Sequence, residues 1–305
     1  MLNSFDDVIN KCIKLETRKL VLCSADDSEA LAAVMKACDL DIILPVLIGI
    51  EDSIKKTAEE SELDISGVEI IHSDTPEESV NIGVQLIRSG SSHLIMKGFV
   101  QTPVFMSIVL SKDKGLRTDR LISHCYVFES PIHKTLKIIT DGGICPQPDT
   151  EQKKWIIKNS LCVSEVLEIA EPKVALVCAS ETKNPKIPAT AHAMELVSAF
   201  ESGEFSEYRV VIDGPFGIDV AFSKESANHK KINSPVSGIA DIWLMPNIEA
   251  GNMTAKVLTA FAGVKNGGIL VGTLAPIILV SRSDTAEIKL NAIALARLLF
   301  EAKYK

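Results

Sequence analysis

Short apolar runs alternate with longer amphipathic stretches along the chain. Arg18 to Cys23 reads as a strand, and Ala25 to Cys38 as a helix with Ser24 or Asp26 at its N-cap. Strands are predicted at Asp41 to Ile48, Val68 to His72 and His93 to Met96, with helices at Asp52 to Ser61 and Thr75 to Arg88 between them. In the second of these helices Pro76 takes the favoured first helical position, and Glu77 and Glu78 suit the positive end. Strand–helix alternation at this spacing predicts a mostly parallel sheet covered on both faces.

The pattern changes after a helix that runs to about Lys112. Ser123 to Glu129 and Leu136 to Thr140 are apolar runs joined by a short polar connection, which predicts an antiparallel hairpin. Asp141-Gly142-Gly143 ends it, and Cys145-Pro-Gln-Pro148 reads as a linker. A long helix from Asp149 to Ala170 opens a second α/β series. Its strands are expected at Lys173 to Ala179, Tyr208 to Ile212, Asp241 to Met245, Gly268 to Val271 and Ile277 to Val280. Helices are expected at Pro188 to Ser202, Ile218 to Lys230 and Gly251 to Val264, and a closing helix from Asp284 to about Lys303. The economical architecture is α/β, two lobes with mostly parallel sheets and a cleft between them. Residues 1–148 with 284–305 would form the first domain and 149–283 the second, which is expected to carry a dimer contact.

Composition narrows the function. A net charge of −8 and 5% aromatic residues argue against a general nucleic-acid binder. Ile42 to Ile50 and Gly267 to Val280 are too short or too interrupted to span a bilayer, so no membrane partner is expected. The N-terminus carries Asp6 and Asp7 and no apolar core, unlike a signal peptide. The seven cysteines form no C-x-x-C pair, which points to reduced thiols and a cytoplasmic location. The six histidines lack the H-x-x-x-H spacing of a zinc site, and no metal is expected. Neither a Gly-x-x-x-x-Gly-Lys loop nor a Gly-x-Gly-x-x-Gly turn after a strand is present, which weakens ATP and dinucleotide binding.

Candidate chemistry gathers where strands end. At Val280 to Glu287 the residues Ser281, Arg282, Asp284 and Glu287 crowd a strand-to-helix junction. The start of a helix carries partial positive charge, so a guanidinium beside it favours an anion to join them. Glu287 also has a plainer reading, because Asp284-x-x-Glu287 fits a capping box. Lys97 and Gly98 lie at another strand end, where open α/β sheets place ligands, although a lone lysine is more often a solvated surface group. Asp213-Gly214-Pro215 is ordinary turn chemistry, and either Asn247 or Glu249 would serve as a helix cap. Gly251 and Asn252 enrich that last cluster beyond what capping needs.

Taken together, Met96-Lys97-Gly98 with Thr102, Gly115-Leu116-Arg117, Asn184-Pro185-Lys186-Ile187-Pro188-Ala189-Thr190, Asp213-Gly214-Pro215, Ala240-Asp241, Pro246 to Asn252, and Ala275-Pro276 with Ser281 to Asp284 resemble the phosphate acetyl/butyryltransferase family. The resemblance is greater to its phosphate butyryltransferase branch and covers roughly residues 90–300 in register. It implies a fold like that of isocitrate and isopropylmalate dehydrogenases, with the site in an interdomain cleft and a homodimer or higher oligomer. It also implies reversible transfer of a short acyl group: acyl-CoA plus phosphate gives acyl phosphate plus CoA. Coenzyme A is then a substrate, and no cofactor is called for.

By the same resemblance Ser281 and Arg282 serve the CoA thiol and the reacting centre. The family's proposed base, an Asp on the following helix, has no counterpart here, since Glu287 and Ile288 occupy its place. Glu287 and Asp284 are the candidates. Lys97, Arg117 and Arg120 are candidates for the CoA phosphates. Gly98, Thr102, Asn184, Asp213, Gly214, Pro215, Asn247, Glu249, Gly251 and Asn252 are candidates for substrate binding. Phe99, Phe105, Met106 and Phe216 would line an acyl pocket or belong to the core. Two other schemes fit the residues less well: a covalent route through Cys125 or Cys145, and a non-catalytic module that senses CoA or acyl phosphate.

Overall fold

The structure, a computed structural model, describes residues 1–304. In chain order the elements are α1 (Phe5–Cys12), β1 (Arg18–Cys23), α2 (Ser28–Asp39), β2 (Ile43–Gly49), α3 (Glu51–Glu60), β3 (Glu69–His72), α4 (Pro76–Arg88), β4 (Leu94–Lys97) and α5 (Thr102–Val109). Then follow β5 (Ser123–Glu129), β6 (Leu136–Thr140), α6 (Thr150–Val166), β7 (Lys173–Val177), α7 (Pro188–Glu201), β8 (Val211–Phe216), α8 (Ile218–Phe222), α9 (Lys224–His229), β9 (Ile242–Leu244) and α10 (Ile248–Ala262). The chain closes with β10 (Asn266–Val271), β11 (Ile277–Ile278) and α11 (Ala286–Lys303).

Two compact units result. A split unit takes Phe5–Arg120 and the stretch from Asn266 on, and an inserted unit takes Leu121–Lys265 with Met1–Ser4. The sequence pattern placed the changes after residues 148 and 283 instead. The reason for the difference is strand pairing. β11 pairs in parallel with β4, which draws β10 and β11 into the split unit with α11. β6 pairs in parallel with β9, which keeps the hairpin in the inserted unit.

In the split unit the strands run in the order β3-β2-β1-β4-β11-β10, parallel except for the β10–β11 pair. β1 and β4 are buried over most of their length, as a sheet covered on both faces requires. α4 shows how locally the start of a helix is encoded. Thr75 Oγ1 accepts the Glu78 N–H at 3.1 Å and Pro76 needs no donor in the first turn. α11 is buried along one long stretch, from Lys289 to Phe300.

In the inserted unit the order is β5-β6-β9-β7-β8, with the antiparallel hairpin β5–β6 and parallel pairs beyond it. Asp149 and Gln152 form a full capping box at the start of α6. The expected strand at Tyr208 to Ile212 lies further on, so Asp213-Gly214-Pro215 is inside β8 rather than in a turn beyond it. An edge strand tolerates Pro215, which has no N–H to give, and the β7–β8 register shifts between Ala175 and Val177. The expected helix from Ile218 to Lys230 breaks at Ser223, whose hydroxyl caps the second piece.

Candidate active site

β1 is the point where the split sheet changes direction: β2 and β3 build out on one side, β4 and β11 on the other. Open parallel sheets bind ligands in the crevice at such a point. Here the ends of β1 and β4 are stitched together, with Gly98 N donating to Cys23 O and Phe99 N to Ser24 O, both at 2.8 Å. A Cβ on Gly98 would lie 2.2 Å from Ser24 O, so only glycine permits this approach.

Lys97 is buried at 4% exposure, not solvated as a lone surface lysine would be. Its Nζ donates to Gly98 O and Val100 O at 3.2 Å each. Burial, then the nearby Arg282 charge, lower its pKa from the ordinary lysine value. Arg282 itself stands over the Phe99 ring, 4.9 Å from guanidinium carbon to centroid, and is exposed. Phe99 is 53% exposed, whereas Phe105 and Phe216 are buried in the core.

The junction after β11 differs from its sequence reading. α11 begins at Ala286, and its N-cap is Thr285, which accepts from Ile288 N at 3.4 Å. Asp284 therefore precedes the helix and forms no capping box with Glu287. Its Oδ2 accepts the Ser281 N–H at 2.7 Å, its N–H donates to Ser281 O at 3.1 Å, and its carbonyl accepts from the buried Lys289. The first N–H of α11 donates to the Glu29 carboxylate of α2 at 2.6 Å. The chain thus supplies an anion of its own to the positive helix end. Ser281 Oγ lies 3.0 Å from Ser283 Oγ, and Glu287 is exposed in the first turn. Thr102 opens α5 at the surface. Arg117 is exposed while its backbone bridges to Thr273. Arg120 is exposed as well.

The inserted unit gathers the remaining candidates differently. Asn247 caps α10 by accepting from Ala250 N at 3.0 Å. Gly251 packs so closely that a Cβ there would fall 2.4 Å from Asp141 O. Asn252 Nδ2 donates to Gly142 O at 3.1 Å. Asp141, read from the sequence only as the end of the hairpin, is buried and accepts from the N–H groups of Gly143, Ile144 and His124. Glu249 is exposed and meets Gln147 at 3.4 Å. Asn184 accepts from Lys186 N at 2.9 Å and is tied to the buried Thr190 hydroxyl. Asp213 Oδ1 accepts from Gly214 N at 2.8 Å. Asp241 holds the buried Lys137 at 2.8 Å.

A pair that sequence reasoning did not single out is Lys153 and His192, 3.2 Å apart, with Lys153 at 3% exposure. Lys153 shares the buried face of α6 with Ile156, Ile157 and Ser160, so a lysine on an apolar stripe was the available signal. Burial lowers both pKa values, and the Lys153 charge lowers that of His192 further. Cys125 is fully buried and its thiol pKa is raised by burial, and that of Cys145 is pushed up to about 12. Neither is a ready thiolate. Among the described residues no group of three or more His, Cys, Asp or Glu is placed to hold a metal ion. No helix among them is long and apolar enough to cross a membrane.

Fold and junction define an α/β protein that presents a cation, hydroxyls and carboxylates at the switch point of a parallel sheet. The chain belongs to the phosphate acetyl/butyryltransferase family, whose model, described as phosphate acetyl/butaryl transferase, matches residues 4–81 and 75–297. It is 40% identical to the phosphate butyryltransferase of Clostridium acetobutylicum over 98% of this chain and 99% of that one. It is 36% identical to the phosphate acetyltransferase of Thermotoga maritima, over 92% and 94% of the two chains. The crystal structure of a branched-chain phosphotransacylase from Enterococcus faecalis V583 superposes with a TM-score of 0.82 at 26% identity, covering 94% of this chain and all of that one.

Proposed function

We propose that the junction from Ser281 to Glu287 is the reacting centre of a phosphate acyltransferase, which interconverts a short-chain acyl-CoA plus phosphate with acyl phosphate plus CoA. Membership of the family gives the reaction class. The observation that carries the assignment to these residues is Arg282, held on Phe99 beside the β1–β4 crevice with its guanidinium open to solvent.

Asp284 is occupied in shaping the turn around Ser281, which makes it a positioning residue. Glu287, exposed on the first turn of α11 at the place of the family's proposed base, is assigned as the base. In the direction of acyl-CoA synthesis Glu287 takes the proton of the CoA thiol, oriented by Ser281, and the thiolate attacks the carbonyl carbon of the acyl phosphate. The carbonyl oxygen gains the negative charge as the new C–S bond forms. Collapse of that intermediate breaks the C–O bond to phosphate, and Arg282 stabilises the charge on the oxyanion and the departing group. In the other direction phosphate attacks the thioester and Glu287 returns the proton to the leaving thiolate. The high thiol pKa values of Cys125 and Cys145 favour this direct transfer over an acylated cysteine.

The same reading keeps Lys97, Gly98, Thr102, Arg117, Asn184, Asp213 to Pro215, Asn247, Glu249, Gly251 and Asn252 as substrate-side positions. Coenzyme A enters as a substrate. A two-lobed arrangement with a cleft like that of isocitrate and isopropylmalate dehydrogenases, a homodimer or higher oligomer, and a cytoplasmic location all belong to this proposal. Purified protein mixed with phosphate and a series of acetyl-, propionyl- and butyryl-CoA should release free thiol. Absence of thiol release across the series would sink the activity.

A further inference from the structure

Three cations converge at the junction within the split unit, and only one of them meets solvent. Lys97 is 4% exposed and Lys289 is 2% exposed, whereas Arg282 stands in the open. Burial lowers the Lys97 pKa, and the Arg282 and Lys289 charges push it down further. Both buried lysines spend their donors on backbone carbonyls. Lys97 Nζ donates to Gly98 O and Val100 O, which flank Phe99, and Lys289 Nζ donates to Asp284 O in the turn that carries Arg282. Burying an ammonium is costly, and an apolar side chain of similar length would pack into α11 without that cost. A charge kept there does something that packing does not.

The bonds show what it holds. Arg282 is set by two supports, the Phe99 ring beneath its guanidinium and the turn that carries its backbone. Lys97 braces the chain on both sides of the ring. Lys289 braces the turn at Asp284, whose carboxylate accepts the Ser281 N–H and whose own N–H donates to Ser281 O. From α2, the Glu29 carboxylate takes the Ala286 N–H. An ammonium and a carboxylate thus grip a carbonyl and an N–H of the same short stretch, Asp284 to Ala286. Such charge-assisted bonds are roughly twice as strong as neutral ones. A reactive group gains from this fixing, because a misplacement of about 1 Å costs on the order of a hundredfold in rate.

We propose that Lys289 is a positioning residue for acyl transfer: with Glu29 as its counterpart on the N–H side, it holds the Ser281–Asp284 turn so that Arg282 is presented over Phe99. The inference rests on the assignment of the junction as the reacting centre. Lys289, buried behind the turn, acts through Arg282.

Lys289→Met keeps an apolar stem and removes the charge. In the full chain it should lower kcat roughly tenfold to a hundredfold, while KM for acyl-CoA and for phosphate stay within about threefold of wild type. The thermal midpoint should hold, because the lost charge was buried at a cost. Glu29→Ala should act in the same direction and more weakly, since α11 keeps its Thr285 cap. Added to Arg282→Ala, Lys289→Met should cost less than about threefold more, because the group it positions is already gone. A residue that merely held the fold would multiply its full loss into the double variant. Hydrogen exchange gives a readout free of turnover: the Ser281, Asp284 and Ala286 amides should exchange at least about tenfold faster in Lys289→Met, with β1 and β4 unchanged. Unchanged kcat, a fall in midpoint that parallels the fall in kcat, full multiplication in the double variant, or unchanged exchange at the turn would each overturn the proposal. If the wild type releases no thiol from any acyl-CoA, the acyltransferase reading fails, and the exchange rates alone decide whether Lys289 holds the turn.

Discussion

The two units carry similar strand-end motifs and use them in opposite ways. At Asn247 and at Thr285 a polar side chain accepts an N–H three residues on and starts a long helix. In the inserted unit the neighbouring polar groups then turn inward. Asn252 holds Gly142, Asp141 holds three backbone N–H groups, and Asp241 neutralises Lys137. At the split unit's junction Arg282 stays exposed on an aromatic face, and Ser24 and Ser73 keep hydroxyls without partners. Density of polar residues in a motif therefore says little about chemistry until their partners are known.

The largest expected effect lies in the inserted unit. Asp241→Ala leaves the buried Lys137 without its counter-ion, a loss of about 3–5 kcal/mol that a denaturant melt would read. A midpoint close to wild type would mean that Lys137 is hydrated in solution. Arg282→Ala should leave the melt almost unmoved and reduce turnover roughly a hundredfold to a thousandfold. Near-normal turnover would remove the contrast between the units at its source. Asn247→Ala should cost about 1 kcal/mol of stability through the lost cap and, at a substrate-side position, also raise KM. KM values equal to wild type would leave Asn247 with the cap alone.

The smallest effect is a pH slope. His192 has its pKa lowered in the fold by burial and by Lys153, with Glu195 and Asp149 opposing. The unfolded chain then binds the proton more readily, so stability is complete above about pH 6.5 and falls as the pH drops towards the folded value. His93 in the split unit is lowered too, by burial and then Arg18, and has the same sign. His192→Gln should flatten the slope in part and leave the His93 share. An unaltered slope would place the whole dependence elsewhere.

Much of this was legible in the chain because it is local. Thr75-Pro76 starts α4, and the alternation of short apolar runs with amphipathic stretches gives the parallel sheet. The ordered motifs pointed to the family because several occur in sequence order. What escaped depends on distant partners. Nothing near Ala286 announces Glu29, and nothing near Lys97 shows that two carbonyls receive it in the interior. The Asp213-Gly214-Pro215 stretch reads as a turn, yet pairing with β7 carries it into a strand at the sheet edge.

Connectivity has a consequence for synthesis. β4 pairs on one side with β1 and on the other with β11, which leaves the ribosome only after the inserted unit has been made. Until then one edge of β4 is an open template, with the aggregation hazard that an unpaired strand carries. The elements of the inserted unit are contiguous, so they close first, while the nascent split unit waits for β11 and for the Glu29 contact that seats the final helix.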